Sequence, residues 1–173
     1  MLFRSTDSRR APLQAQALLA DGATPSGPAR TVRNPARHAD VVGVVHEASA
    51  DDARTALHAA ARAAATWAHT PPAQRAAVLR AAADRLQADL PGCVALLMRE
   101  AGKTAANAVA EVREAIDFLR YYAAQITDAH WPADAPVLGP VVCISPWNFP
   151  LAIFTGQIAA ALAAGNQIGR AHV

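Results

Sequence analysis

The run VLGPVVCIS, residues 137–145, is apolar and β-branched, and it leads straight into Pro146-Trp147-Asn148-Phe149-Pro150. A second apolar run, LAIFTGQIAAALAAG, follows and is stopped by Gly165 and Asn166. The first run has the length and composition of a buried strand. The second has the length of a helix and a glycine where a helix ends. Strand, stiff corner, helix and Gly-Asn make the first half of a βαβ unit, which commits the chain to an α/β fold. The second strand of that unit is due directly after Asn166. The segment there, QIGRAHV, does not read as that strand. The strand at 141–145 is therefore expected to lack a partner, and 137–173 to fold poorly.

Upstream, helical signals dominate. Residues 1 to about 29 are rich in Pro, Gly, Ser and Arg around the patch LQAQALLA and read as loop or tail. The segments TVR and VVGVV flank the turn-forming NPARHAD and predict a β-hairpin. Ser49 lies three residues before Asp52, a capping-box start for a helix over 50–68, with Leu57, Ala61, Ala64 and Trp67 on one face. Thr70 is placed to cap the next helix with Pro71 at its first position. Val78, Leu79, Ala82, Leu86 and Leu90 stripe that helix to about 89. Pro91 and Gly92 break it, and VALLMREAG makes a shorter helix stopped by Gly102. Thr104 caps a long helix to about 129, striped by Val109, Val112, Ile116, Leu119 and Tyr122 or Ala123. Glu111, Glu114 and Asp117 on this helix read as a solvated face near Arg113 and Arg120, not as a metal site.

Composition closes off several function classes. The net charge of +2 is mixed in sign along the helices, without the Lys/Arg block of a nucleic-acid footprint. No apolar run reaches the ~18 residues of a membrane span, and no secretory leader is legible, so the expectation is a cytoplasmic protein. Cys93 and Cys143 do not suggest a disulfide framework, and the histidines lack metal-ligand spacing. The single lysine, Lys103, reads as a coding bias toward arginine.

Ligands of open α/β sheets sit at the carboxyl ends of strands, which is where Ile144 to Asn148 fall. Two prolines stiffen this corner. Trp147 offers a flat apolar wall, and Asn148 an amide donor that never ionises, the chemistry required to stabilise a developing oxyanion. From the residues alone, a Pro-aromatic corner that merely packs on its own helix fits equally well.

The stretch GPVVCISPWNFPLAIFTGQIAAALAAGN resembles the strand-turn-helix of the aldehyde dehydrogenase superfamily, whose hallmark is Pro-Trp-Asn-Phe-Pro. RNPA with VVG, WAHTPPAQRAAVLRAAADRL, REAGKT and AEVREAIDFLRYYA agree with it in order and spacing, so the resemblance runs from about Pro25 to Asn166. The wording is most similar to the L-glutamate γ-semialdehyde dehydrogenase branch found in bacterial bifunctional proline-catabolic enzymes. The resemblance implies the N-terminal part of that fold: mostly helical, with a short β-hairpin and the first strand-helix unit of a Rossmann-like domain.

It also implies a chemistry. A cysteine thiolate attacks the aldehyde, Asn148 holds the oxyanion, hydride passes to NAD, and a glutamate activates water. Ile144, Ser145, Pro146 and Trp147 resemble the residues that line the NAD cleft. The complete enzyme is expected to act on a small semialdehyde and to be a homo-oligomer, with no nucleic-acid partner from this segment. No residue here matches the family's nucleophile, its general base or the Lys-Pro-Ala-Glu of its ribose-binding strand. Residues 30–166 thus read as a partial dehydrogenase domain, inactive alone and expected to bind NAD negligibly. Ile168–Val173 match the translation of ATC GGA AGA GCA CAC GTC, which resembles a sequencing-library adapter, so 167–173 read as a read-through tail. Two other readings stand beside this one: a helical interaction module derived from a dehydrogenase, and an enzyme using Cys143.

Overall fold

The computed structural model describes residues 12–19, 22–128, 131–132 and 136–172. Residues 1–11 of the expected tail, the far end of the expected long helix at Ala129, and Val173 lie outside the described residues.

The hairpin forms from β2 (Ala29–Asn34) and β3 (Arg37–His46), paired antiparallel. Its turn is shorter than expected, Pro35 and Ala36 alone, because Asn34 Oδ1 accepts the Ala36 N–H at 3.0 Å and closes an Asx turn. The tail reading needs a correction as well. Leu13–Gln16 is a strand, β1, parallel to β3 with Leu13 opposite Gly43. A strand on an edge needs only backbone groups, so weak alternation in LQAQ did not prevent it.

α1 (Ala50–Ala68) begins at Ser49 with both halves of the capping box made. It contains no buried residue, and Leu57, expected on its inner face, is 49% exposed. α2 (Pro72–Ala88) starts one residue later than expected, with Pro71 as N-cap. Thr70 instead donates to Thr66 O and ends α1. α3 (Leu90–Glu100) includes Pro91 and Gly92 in its first turn, where a missing N–H is harmless, so the pair starts this helix and does not merely separate two. α4 (Ala105–Gln125) is capped by Thr104 and ends earlier than the periodicity suggested. Most of its stripe is as read: Val112, Ile116, Leu119 and Ala123 are buried together with Leu79, Ala83 and Leu97 of α2 and α3, whereas Val109 is only half-buried and outside this cluster.

β4 (Pro140–Ser145) leads through the corner to α5 (Ala152–Ala163), which packs on α4. At Gly156 the two helices are so close that a Cβ would lie 2.9 Å from the Phe118 ring. An alanine in a helix interior gains about 1 kcal/mol over glycine. Overpacking against a ring held at its base costs about 1–3 kcal/mol. Gly156→Ala is therefore expected to lower the melting temperature; a rise would show that the Phe118 ring yields freely.

α5 ends in a full Schellman motif. Gly165 has φ +89°, its N–H donates to Leu162 O at 3.1 Å, and the Asn166 N–H donates to Ala161 O at 2.9 Å. Trp67 Nε1 and Arg75 Nε take up the carbonyls of Leu162 and Ala163, both at 3.0 Å. Asn166 Oδ1 then accepts the Leu138 and Gly139 N–H groups at 2.6 and 3.2 Å. This clamp holds the start of β4 beside the chain leaving α5. As a result Gln167–His172 forms β5, parallel to β4 with Pro140 opposite Gln167, and β4 is not unpartnered as the sequence suggested. The ladder uses backbone groups, and QIGRAH has no proline to interrupt it.

Asp40 ties the hairpin to α3. Arg99 Nη2 and Nε reach its two carboxylate oxygens at 2.7 and 3.3 Å, and Asn34 Nδ2 adds a third bond at 3.1 Å. The Arg99 bonds, then the Asn34 bond, hold its pKa at about 2. The Ser49 and Ser26 N–H and hydroxyl groups hold Asp52 at about 2 as well. Both folded values lie below the unfolded carboxylate, about 3.9. The contribution is thus complete above pH ~4 and is lost as pH falls through ~2. Thermal melts from pH 5 to pH 2 should show this loss, with a shallower slope in Asp40→Asn. An identical slope in the variant would remove Asp40 from the account.

Candidate functional site

The corner after β4 is closed locally by the Phe149 N–H, which donates to Pro146 O at 3.2 Å and leaves Trp147 and Asn148 at the apex. Ile144, Pro146, Trp147 and Asn148 are all exposed, Trp147 at 72%. Ser145 points inward and its side chain is fully buried. The Asn148 amide has no side-chain hydrogen bond to any described residue and is free to meet a ligand. The geometry offers a neutral donor beside an apolar wall at the carboxyl end of a parallel strand.

Proline stiffness is only part of what shapes this corner. Gln157 Nε2, one turn into α5, donates to Ile144 O at 2.9 Å and pins the end of β4. α5 has no side-chain cap of its own. Glu111 of α4 takes that place: its Oε1 accepts the Leu151 N–H at 2.8 Å and the Ala152 N–H at 3.2 Å. Its Oε2 lies 2.5 Å from Lys103 Nζ and has no other partner among the described residues. Lys103 Nζ in turn sits 4.2 Å from the centroid of the Phe149 ring.

Two sequence readings are corrected here. Glu111 is 2% exposed and does not belong to a solvated face, whereas Glu114 and Asp117 do lie outside. Arg120 pairs with Asp84 and Gln87 of α2 and not with the acids of its own helix. Lys103 is no mere coding accident either, since it neutralises the one buried acid beside the corner. A signal for Glu111 was present: it is three residues after Ala108 and four before Ala115, both fully buried. That spacing puts it on the inner face, where small neighbours leave room for a polar group.

Cys143 is 2% exposed on β4, and burial pushes its thiol above the ordinary range. That is the environment of an inert cysteine, and it argues against a nucleophilic role. Burial, then Asp89, raises the Cys93 thiol too. Among the described residues no group of three or more His, Cys, Asp or Glu is placed to hold a metal ion. No helix among them is long and apolar enough to cross a membrane.

Residues 23–168 match the aldehyde dehydrogenase family, and the chain belongs to it. Among its relatives, the bifunctional protein PutA of Klebsiella aerogenes is 56% identical over 142 residues, covering 82% of this chain and 11% of that protein. The 1-pyrroline-5-carboxylate dehydrogenase of Bacillus licheniformis is 39% identical over 149 residues, covering 78% of this chain and 28% of the relative. The solved structure of 1-pyrroline-5-carboxylate dehydrogenase from Thermus with bound NAD matches with a TM-score of 0.83 at 31% identity, over 92% of this chain and 33% of that one. The chain thus spans only a minor part of the length of each.

Proposed function

We propose that this chain is the N-terminal part of an NAD-dependent dehydrogenase that oxidises L-glutamate γ-semialdehyde, the open form of 1-pyrroline-5-carboxylate, to L-glutamate. The observation that carries the proposal is the corner itself: an exposed neutral amide, Asn148, at the carboxyl end of β4, in a chain whose relatives include PutA and 1-pyrroline-5-carboxylate dehydrogenases. The amide donates to the aldehyde oxygen as it becomes negative, a role for which a charged side chain is unsuited beside a thiolate. The nucleophilic cysteine and the glutamate base are contributed from outside this chain. NAD, when bound, supplies the hydride acceptor. Ile144, Pro146 and Trp147, exposed and uncharged, would line the NAD cleft, while the buried Ser145 would be limited to backbone contact.

The test is to continue the chain past Asn166 with the family's sequence and follow NADH formation from the semialdehyde. Turnover is expected. A folded, NAD-binding protein that oxidises other aldehydes and not this one would overturn the substrate assignment. The 173-residue chain itself is expected to give negligible heat on calorimetric titration with NAD; micromolar binding would show that the corner and β5 suffice.

A further inference from the structure

We infer that the buried Glu111–Lys103 pair is a positioning device for the Pro146–Pro150 corner, and that Glu111 sets the aim of the Asn148 amide. This rests on the reading of Asn148 as the oxyanion donor. The pair touches the corner at both of its later anchor points. Lys103 Nζ lies over the Phe149 ring, adjacent to Asn148, and Glu111 Oε1 holds the Leu151 and Ala152 N–H groups. Gln157 fixes the near side through Ile144 O. Asn148 therefore hangs between a strand end and a helix start that are both clamped from the α4 and α5 side. The first N–H groups of a helix have no acceptor within it, so at Leu151 and Ala152 the Glu111 carboxylate replaces an absent N-cap.

Stability alone does not account for the pair. A buried ion pair is commonly replaced by apolar residues of like volume with no loss of stability, whereas removing one partner leaves an uncompensated charge. What an apolar pair lacks is a fixed direction. Two oxygens aimed at two backbone N–H groups, and an ammonium over one ring, define where the corner stands. Catalytic amides tolerate little displacement, and a shift of about 1 Å costs up to 10²-fold in rate.

The test combines two readouts on Glu111→Gln, which keeps the side-chain shape and removes the charge. In this chain, hydrogen exchange of the Leu151 and Ala152 amides should lose about tenfold in protection, since bonds to a charged acceptor are roughly twice as strong as neutral ones. Amides of the α2 core near Leu79 should not change. In the chain continued with the family's sequence, Glu111→Gln should slow acylation by about 10- to 10²-fold with KM for NAD little changed. In an Asn148→Ala background it should slow it no further, because there is no donor left to aim. Lys103→Met alone should be worse than Glu111→Gln, and the double variant should recover to the Glu111→Gln level. It also carries the same test if either single variant does not fold. If Asn148→Ala itself runs at the parental rate, the functional reading falls and this inference with it. If Asn148→Ala is slow but Glu111→Gln is not, or slows both backgrounds equally, or alters exchange in α2 as much as at Leu151, only the positioning inference falls.

Discussion

In the chain continued past Asn166, Asn148→Ala is expected to lower the rate of the acylation step by about 10²–10³-fold, the usual effect of losing one oxyanion donor. NAD affinity is expected to stay nearly unchanged, because the substitution leaves the exposed Ile144, Pro146 and Trp147 proposed to line the NAD cleft in place and removes only an exposed polar tip. The pattern separates roles. Loss of a donor used only in the transition state lowers kcat and kcat/KM together, whereas loss of a packing contact would appear as instability. Asn148 makes no side-chain hydrogen bond to described residues, so its truncation leaves no orphaned partner in the fold. The measurement is pre-steady-state hydride transfer from glutamate semialdehyde. Transfer at the parental rate would reduce Asn148 to a turn residue.

What the sequence revealed, and what it withheld, follow the range of the forces involved. Local chemistry was legible. The Ser49–Asp52 capping box, the α4 stripe and the Gly165 stop are each set within a turn or two of chain, and the structure has all three. The corner itself was legible for the same reason, since two prolines stiffen their own backbone. Contacts across long separations were not legible. Glu111 reaches Leu151 over forty residues, and periodicity says which side of α4 it occupies only if the small residues beside it are weighed. Lys103 is one residue before the α4 cap, and nothing nearby in the chain announces its partner. β1 and β5 were missed because a parallel ladder draws on backbone groups that almost any sequence supplies. Their placement is decided by neighbours, in the case of β5 by the Asn166 clamp on Leu138 and Gly139.

The same distinction between local pattern and tertiary burial yields a stability prediction. Leu57 and Leu119 both occupy positions that helical periodicity assigns to an apolar face. The structure separates them: Leu119 is 4% exposed in the cluster of α2, α3, α4 and α5, while Leu57 is 49% exposed on a helix with no buried residue. Truncating a buried leucine removes its transfer free energy and leaves a cavity, about 2–5 kcal/mol. The close Phe118–Gly156 approach between α4 and α5 beside Leu119 leaves these helices little room to move together into the gap. Truncating a half-exposed leucine away from such features costs about 0.5 kcal/mol or less. Urea denaturation of this chain should therefore show Leu119→Ala shifting the midpoint strongly at constant m-value, and Leu57→Ala barely shifting it. Equal shifts for the two would mean that α1 buries its Leu57 face in solution, and the packing described for α1 would be wrong.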